Sequence, residues 1–220
     1  MKYSGFYRLS LFLYGVFMLS CASSVQQIEH SAQKTVNIKK LLFMPFFSES
    51  DYIAQTSEEV RLAKERFLTE ALHNELASEV RGVDIISLEM ATSEFKKVEE
   101  ENPGITRKDA ILQVARNLNA DAVLIGNISD YSERQGGEFG VESPASVVFE
   151  VQLLDAASGE VIWEAYFNET QRTLLENVVE VRKFIKRRAK WISADELARE
   201  GVAEIVDKLD KFLKGNAATN

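Results

Sequence analysis

The chain has 220 residues, of which 45% are apolar and 27% are charged, with three prolines and no long biased tract. These values predict one globular domain with short tails, and they argue against extended disorder and against a repeat protein. The formal net charge of −8 becomes −10 without residues 1–20, because Lys2 and Arg8 are lost and no acidic residue is. Such an acidic body disfavours binding to nucleic acid.

Residues 1–20 have the pattern of a secretory signal peptide. Lys2 and Arg8 are the only charges before an apolar run over residues 9–19. A helix needs about 20 apolar residues to cross a bilayer, so this run is too short to span one but suits the apolar part of a signal peptide. We therefore expect residues 1–20 to be cleaved.

The only cysteine, Cys21, follows this run directly. The preceding Met18, Leu19 and Ser20 resemble the lipobox of bacterial lipoproteins, although Met18 stands where leucine is usual. The resemblance implies that Cys21 is lipidated and becomes the new amino terminus, held to a membrane by its acyl chains. Lipoproteins kept at the inner membrane commonly carry aspartate directly after the cysteine, and here Ala22 follows. The resemblance therefore also implies that the protein is anchored in the outer membrane and faces the periplasm. The alternative is a chance cysteine in an ordinary signal peptide, with no second cysteine for an internal disulfide.

Four segments make up the predicted domain organisation. Residues 1–20 are the signal peptide, and residues 21–35 form a lipidated polar tether without a helical or alternating pattern. Residues 36–215 form a single globular envelope domain, and residues 216–220 are a disordered tail. A flexible tether of about 15 residues spans only about 20 Å, which would keep the domain close to its membrane.

In chain order, the apolar run KKLLFMPFF after Val36 predicts the first strand. Thr56 or Ser57 can cap the amphipathic helix that follows. The apolar face predicted for this helix consists of Val60, Ala63, Phe67, Ala71, Leu72, Leu76 and Val80. Gly82 ends the helix, VDIIS predicts a second strand, and Ser87 can cap a second helix.

A third helix begins at Thr106, with Asp109 in a position like that of a capping box. The segments ADAVLIGNISDY, SVVFEVQLLD and EVIWEAYFNE predict three strands, the last two joined by a tight turn ending at Gly159. A long helix over 170–192 and a helix capped by Ser193 and Glu196 follow. The order β-α-β-α-α-β-β-β-α-α predicts an α/β (α+β) fold, with helices packed on a mixed sheet of about five strands.

Alternation along the last two strands predicts which side chains are buried. The residues expected to face the core are Val147, Phe149, Val151, Leu153, Val161, Trp163, Ala165 and Phe167. The charged Glu150, Glu160 and Glu164 are expected on the opposite face. The second face of this predicted meander is therefore a polar surface.

Two stretches carry a family resemblance: NADAVLIGNISDY, and, after a glycine-rich turn, VVFEVQLLDAASGEVIWEAYF. They resemble the shared core of a group of envelope proteins over about residues 36–167. The group includes the curli-assembly lipoproteins, the lipoprotein activators of penicillin-binding proteins and the amino-terminal domain of the Tol translocation protein. The resemblance implies this fold, and fold alone does not fix function.

Two branches of this group are disfavoured by segment lengths. The activator branch needs a long tether to reach the cell-wall synthases, and about 15 residues are few for that reach. The pore-forming branch needs added hairpins with membrane-spanning strands of about 9–11 residues. The insert between Ser132 and Pro144 is too short and too polar for such hairpins.

Few residues of the sequence suit catalysis or metal binding. The only histidines are His30, in the predicted tether, and His73, in the first helix, so a zinc site has almost no ligands. A Ser-His-Asp site would have to use His73, and a surface position explains that residue better. Acidic residues concentrate on predicted helix surfaces such as residues 99–101. We predict no metal, no cofactor and no enzymatic activity.

Two features are candidate docking sites. The first is the glycine-rich loop over residues 134–140, in which Phe139 is a candidate contact at the loop tip. A phosphate-binding loop is disfavoured here, because the sequence has neither the GxxxxGK(S/T) motif nor a helix after the loop. The second feature is a basic segment in the long helix, and its candidate residues are Lys183, Lys186, Arg187, Arg188, Lys190 and Trp191. The alternative for this segment is charge matching to the helix dipole, since acidic residues lie toward the start of that helix.

Together these features predict a non-enzymatic, lipid-anchored lipoprotein of the cell envelope that acts as a periplasmic docking or assembly factor. Its expected partner is another envelope protein or a second copy, bound by the exposed face of the meander or by the basic segment. The alternative is a periplasmic module that binds peptidoglycan or lipid headgroups through the basic segment. An envelope enzyme is a third hypothesis, and no catalytic motif supports it.

Overall fold

A computed structural model describes residues 25–29, 37–136, 143–170 and 192–218. The strands are β1 (Val25–Glu29), β2 (Lys40–Phe43), β3 (Phe47–Ser48), β4 (Asp84–Ile86), β5 (Ala122–Ser132), β6 (Ser146–Asp155) and β7 (Val161–Thr170). The helices are α1 (Ser50–Gln55), α2 (Glu58–Glu79), α3 (Leu88–Glu101), α4 (Arg107–Asn117) and α5 (Ala194–Ala218). The long helix predicted over 170–192 lies outside these ranges except for its two end residues. Of the disordered tail predicted over 216–220, residues 216–218 are described and belong to α5.

The seven strands of the described residues form one mixed sheet in the order β1-β7-β6-β5-β2-β4, with β3 also paired to β5. Strands β4, β2 and β5 are parallel, whereas β5, β6, β7 and β1 are antiparallel neighbours. The mixed α/β sheet and the central position of β5 confirm the predicted fold class. The sheet has two more strands than predicted, β1 and β3.

Both additional strands correct the sequence analysis. Residues Val25–Glu29, which were assigned to the tether, pair with β7 at the edge of the sheet, and Val25 lies opposite Phe167. This strand shows no alternating apolar signal, because Ile28 faces solvent at 53% exposure. The single strand predicted in KKLLFMPFF is two strands, and Pro45, which has no N–H to donate to a ladder, lies between them.

One face of the sheet is covered by α2 and α5. Trp163, Phe149 and Phe167 are fully buried there, with the rings of Phe149 and Phe167 5.2 Å apart. On α2 the buried face contains Leu72 and Leu76, as predicted. The prediction was wrong for the first turns of α2, where Val60 is 45% exposed, because α2 meets the core only from Phe67 onward.

The helix caps agree with the sequence. Ser87 and Thr106 each accept a hydrogen bond from an amide in the first turn of α3 and α4. Ser193 and Glu196 form a reciprocal capping box at α5, with N···O distances of 2.9 and 3.1 Å. Ser57 is the residue before α2, as predicted, but its side chain makes no cap hydrogen bond.

The residues that carry the family resemblance have structural tasks. The carboxylate of Asp121 accepts hydrogen bonds from the backbone N–H groups of Lys39 and Lys40, both at 2.8 Å, and so joins the start of β2 to that of β5. Gly126 leaves space for the ring of Phe46, which a Cβ at this position would approach to 2.4 Å. These contacts specify the fold and do not identify a function.

The second face of the sheet is covered only in part. Helices α3 and α4 pack over β2, β4 and the start of β5, in a second apolar cluster that contains Leu42, Ile86 and Val123. Among the described residues, no helix covers this face over β6, β7 and β1. In the part of the chain that the structure describes, no helix has the length and apolar composition to cross a membrane.

Two glycines of α5 give a test of this packing. A Cβ at Gly201 would lie 2.7 Å from the ring of Phe167, whereas a Cβ at Gly215 meets nothing within 4 Å. Alanine gains about 1 kcal/mol over glycine in a helix, but overpacking a core costs about 1–3 kcal/mol. We expect G201A to lower the free energy of unfolding in urea and G215A to leave it unchanged or raise it. A raised stability of G201A, like that expected of G215A, would contradict the packing of α5 on β7.

Candidate functional site

The uncovered part of the sheet displays two rows of side chains, each running across four strands. In the first row Gln26 pairs with Tyr166, Tyr166 with Glu150, and Glu150 with Asn127. In the second row Ile28 pairs with Glu164, Glu164 with Gln152, and Gln152 with Ile125. We call these eight residues the open face. Ile125 forms its boundary, since it packs against the cluster under α3 and α4.

The open face has a groove of about 210 Å³ lined by residues of β1, β6 and β7. Tyr166 is 37% exposed and is one of the few large apolar side chains on the described surface, together with Ile28. The amide of Asn127 donates to Glu150 at 3.0 Å, and that of Gln152 donates to Glu164 at 3.4 Å. The side chains of the groove are therefore partly positioned by neighbours in the same rows.

The charge of this surface has one sign. Strands β1, β5, β6 and β7 contain no lysine, arginine or histidine. On the open face the charged residues are Glu150 and Glu164. The other charged residues of these strands are also acidic, namely Glu29, Asp130, Asp155 and Glu169. A partner that docks here meets carboxylates, amides and two apolar side chains, which suits a surface carrying positive charge.

Part of this site could be predicted from the sequence. Glu150 and Glu164 were expected on the outward face of the meander, which the structure confirms. Tyr166 was not predicted, although Ala165 and Phe167 on the core side require Tyr166 to point outward. Gln26 and Ile28 were not predicted either, because their strand was assigned to the tether.

The other predicted site residues lie outside the described ranges. They are Cys21, Phe139, Lys183, Lys186, Arg187, Arg188, Lys190 and Trp191. Their roles in lipidation and docking remain predictions. The two segments that contain the docking candidates leave the described fold near one another, because Ser146 at the start of β6 pairs with Thr170 at the end of β7.

A cluster of ionisable groups joins α2, the end of β5 and the start of α5. The ammonium group of Lys64 lies 2.8 Å from Asp195 and 3.0 Å from Glu133, and it also lies 4.6 Å from the centre of the Tyr131 ring. The hydroxyl of Tyr131 donates to Asp195 at 2.5 Å. The backbone N–H of Ala194 donates to Glu133 at 3.1 Å. These contacts fix the start of α5 against α2.

The pKa shifts in this cluster favour a structural role. Burial and the hydrogen bond to Asp195 both raise the pKa of Tyr131, so its hydroxyl stays protonated. Burial opposes the charge of Lys64, but Asp195 and Glu133 outweigh it and raise the pKa of Lys64. Burial likewise opposes the charge of Asp195, and the hydrogen bonds from Lys64 and Tyr131 outweigh it and lower the pKa of Asp195. Each group is thus held in its ordinary ionisation state rather than poised for proton transfer.

His73 and the acidic groups of the described residues form neither a catalytic nor a metal site. His73 is half-buried, with its ring stacked 6.4 Å from that of Phe43, so it is a packing residue rather than the solvated one expected. Within residues 25–29, 37–136, 143–170 and 192–218, no group of three or more His, Cys, Asp or Glu side chains could hold a metal ion.

The sequence matches the model of one protein family, described as peptidoglycan-synthase activator LpoB, over residues 20–168. The match covers well over half of the chain. The chain belongs to the LpoB family. Membership confirms the predicted resemblance to the group that includes the lipoprotein activators of penicillin-binding proteins. It also confirms the prediction that the chain is a docking lipoprotein of the outer membrane that faces the periplasm. It overturns the argument that tether length disfavours the activator branch. No curated protein shows significant sequence similarity to the chain.

Several solved structures resemble the fold at low identity. A PelC dodecamer from Paraburkholderia phytofirmans is 16% identical, with a TM-score of 0.46 over 84% of this chain and 96% of that one. The LpoB C-terminal domain from Escherichia coli is 18% identical, with a TM-score of 0.39 over 61% and 84%. Lipoprotein GNA1162 from Neisseria meningitidis is 16% identical, with a TM-score of 0.36 over 69% and 98%. Similarity at this level transfers no function.

The ionic cluster predicts a pH dependence of stability. Because the pKa of Asp195 is lowered in the folded state, its contribution is present above the unfolded pKa of about 3.9 and is lost as the pH falls further. Since the side chain is 41% exposed, we expect D195N to destabilise the fold by only about 1 kcal/mol at pH 7. The difference from wild type should shrink below pH 4.

The control for this variant lies in the same helix. Asp207 pairs with Lys211 at 2.6 Å, but both side chains are more than half exposed, so D207N should cost less than about 0.5 kcal/mol at any pH. Urea unfolding at pH 7 and at pH 3 measures both variants. Equal effects of D195N and D207N would show that the cluster does not hold α5 in place.

Proposed function

We propose that this chain is a non-enzymatic activator that docks onto a peptidoglycan synthase through the open face. The observation that carries the proposal is the extent of the family match. Residues 20–168 include six complete strands and all but the last two residues of β7. The match ends before the basic segment and before α5. A function common to the family must reside in residues that the family shares.

Within the matched region, the open face is the surface best suited to a partner. It is sheet surface that no described helix covers, and it joins exposed Tyr166 and Ile28 to a shallow groove. Protein interfaces draw much of their binding energy from a few aromatic side chains in such settings. The polar residues around Tyr166 would form the rim, where amides and carboxylates supply specificity.

The absence of catalysis is part of the same proposal. In the described cluster of Lys64, Tyr131, Glu133 and Asp195, the side chains hydrogen-bond to one another and so join α2, the end of β5 and the start of α5. The description of the family, that of an activator, also supports a regulatory role. The chain would therefore change the rate of a synthase without turning over a substrate itself.

Lipidation of Cys21 would place the folded domain directly on the outer membrane. Only residues 22–24 separate Cys21 from β1, and the four chain steps to Val25 span at most about 14 Å. This is shorter than the predicted reach of about 20 Å. A synthase that binds the open face would then have to extend close to the outer membrane.

The basic segment stays a second candidate surface. Its charged residues, Lys183, Lys186, Arg187, Arg188 and Lys190, are chemically suited to an acidic protein, to lipid headgroups or to peptidoglycan. The family match does not include it, so we rank it below the open face. Binding to purified peptidoglycan that is lost in a variant neutralised at these positions would favour the alternative of a wall-binding module.

The open face predicts a specific loss of binding. Y166A should weaken the affinity of the full-length chain for a purified peptidoglycan synthase of the same organism at least tenfold, about 1.4 kcal/mol, and should lower activation in parallel. The measurements are equilibrium binding and the rate of glycan-chain synthesis. The control is M90A on α3, which removes an apolar side chain elsewhere that is 52% exposed, against 37% for Tyr166. Wild-type affinity and activation by Y166A would refute docking through the open face.

A separate experiment tests the anchor. C21S should abolish incorporation of a labelled fatty acid and should move the protein from the membrane fraction to the periplasmic fraction, since each buried methylene contributes about 0.8 kcal/mol. Metabolic labelling followed by fractionation measures both effects. If C21S retained the label and its membrane location, Cys21 would not be the lipidated residue.

A further inference from the structure

The chain enters β1 from the end of the sheet at which β5 and β7 finish. Ser132 at the end of β5 pairs with Ser146, and Ser146 pairs with Thr170 at the end of β7. Val25 at the start of β1 pairs with Phe167, three residues before Thr170 and therefore about 10 Å from it along the strand. We call the end marked by Ser132, Ser146 and Thr170 the anchor end.

The short link between Cys21 and β1 limits how far this end can be from a membrane. With Cys21 lipidated, the four chain steps to Val25 span at most about 14 Å. About 10 Å of this reach is needed to draw level with Thr170. The surface of the membrane then lies within a few ångströms of the anchor end, or else beside β1.

Helix α2 begins at the anchor end and runs away from it. The ammonium group of Lys64 lies 3.0 Å from Glu133, the residue directly after β5. Further along α2, the ring of His73 stacks with that of Phe43, which pairs near the start of β5. With a rise of about 1.5 Å per residue, Val60 lies about 6 Å further out along the helix axis than Lys64. The first turns of α2 therefore project beyond the end of β5.

Exposed apolar side chains are concentrated in this region. Val60 and Leu62 in the first turns of α2 are exposed, and so is Ile53 in the neighbouring α1. Helix α1 follows β3, whose Ser48 pairs with Ile128 in the second half of β5. Ile53, Val60 and Leu62 are half of the six large apolar side chains that are exposed among the described residues. The turn between β6 and β7, at the opposite end of the sheet, contains only small or polar residues.

We propose that the anchor end of the domain rests on the phospholipid leaflet, where Ile53, Val60 and Leu62 contact lipid. This inference rests on the proposed lipidation of Cys21 and adds the orientation of the domain on its membrane. Moving apolar side chains from water to the boundary between headgroups and acyl chains is favourable. Because the acyl chains already hold the domain at the surface, contacts too weak to bind a free domain are sufficient to orient it.

The charges near these side chains favour one kind of lipid. Asp51, Glu58 and Glu59 are exposed and lie close to them in sequence. Carboxylates repel anionic headgroups and attract the ammonium groups of phosphatidylethanolamine. We therefore expect the anchor end to rest on a zwitterionic leaflet rather than on an anionic one.

This orientation leaves the open face accessible to a synthase. The strands run away from the membrane, and the ten residues of β6 extend over about 30 Å. A synthase can then approach the open face from the side. Placing the domain on the edge formed by β1 would instead bring the acidic open face and its groove close to the headgroups.

The test uses the full-length lipidated chain in vesicles of phosphatidylethanolamine and phosphatidylcholine that contain a lipid with a nitroxide on its headgroup. An acylated Cys21 has no free thiol, so I53C provides a single site for a fluorescent label. We expect the nitroxide lipid to quench this label at least about twofold. The control is A157C in the β6–β7 turn, about 30 Å away along β6, where quenching should be slight.

A second set of variants tests the apolar contact itself. Adding V60S and L62S to the labelled I53C chain should reduce the quenching toward that of A157C, because the contact with lipid is weakened. The matched control is M90S on α3, which also removes an exposed apolar side chain and should leave the quenching of the I53C label unchanged. Equal quenching with and without V60S and L62S would show that these side chains do not hold the anchor end on lipid.

The outcomes separate this inference from the proposed function. If the parent chain takes up the thiol label, Cys21 is not acylated, and the proposed anchor fails together with this inference. If Cys21 is acylated but the I53C label is quenched no more than the A157C label, the orientation is wrong, although the anchor and docking to a synthase stand. Stronger quenching of a label at I28C than at I53C would show that the domain lies on β1, and would also overturn the inference. Selective quenching at I53C that V60S and L62S remove supports it.

Discussion

The alternation of side chains along β6 and β7 determines both the core and the open face. Phe149, Trp163 and Phe167 must all face α2 and α5, because they are the largest apolar groups of these strands and are fully buried. With a period of two residues, Glu150 and Tyr166 then have to point to the other side of the sheet. A slip of one residue would exchange the two faces, so the register that buries the core also specifies the site.

The helices complete this division, since they cover the two faces unequally. Helices α2 and α5 cover one face, and the cluster of Lys64, Glu133 and Asp195 fixes the start of α5 in place. Helices α3 and α4 cover only the parallel strands on the other face. The antiparallel strands β5, β6 and β7, together with β1, therefore combine a well-packed core with an acidic surface that no described helix covers. A rigid scaffold of this kind suits a protein that acts by docking.

Much of this fold could be predicted because its signals are local. The caps at Ser87, Thr106 and Ser193 and the alternation in β6 and β7 depend on residues close in sequence. Strand β1 could not be predicted, since its pairing with β7 spans more than 130 residues and its exposed Ile28 breaks the apolar pattern. The open face was predicted only as a polar face of the meander, because the groove requires β1. The basic segment was predicted as a docking site from its charge density, which does not depend on the fold.

Site-specific photocrosslinking in living cells tests the central claim most directly. A photoreactive residue at Tyr166 of the full-length chain should crosslink to a peptidoglycan synthase, identified by mass spectrometry. The same residue at Glu70, on the exposed side of α2, should not. Such a pair of results would place the synthase on the open face. Crosslinking of the synthase from Glu70 or from Lys186 but not from Tyr166 would contradict the account.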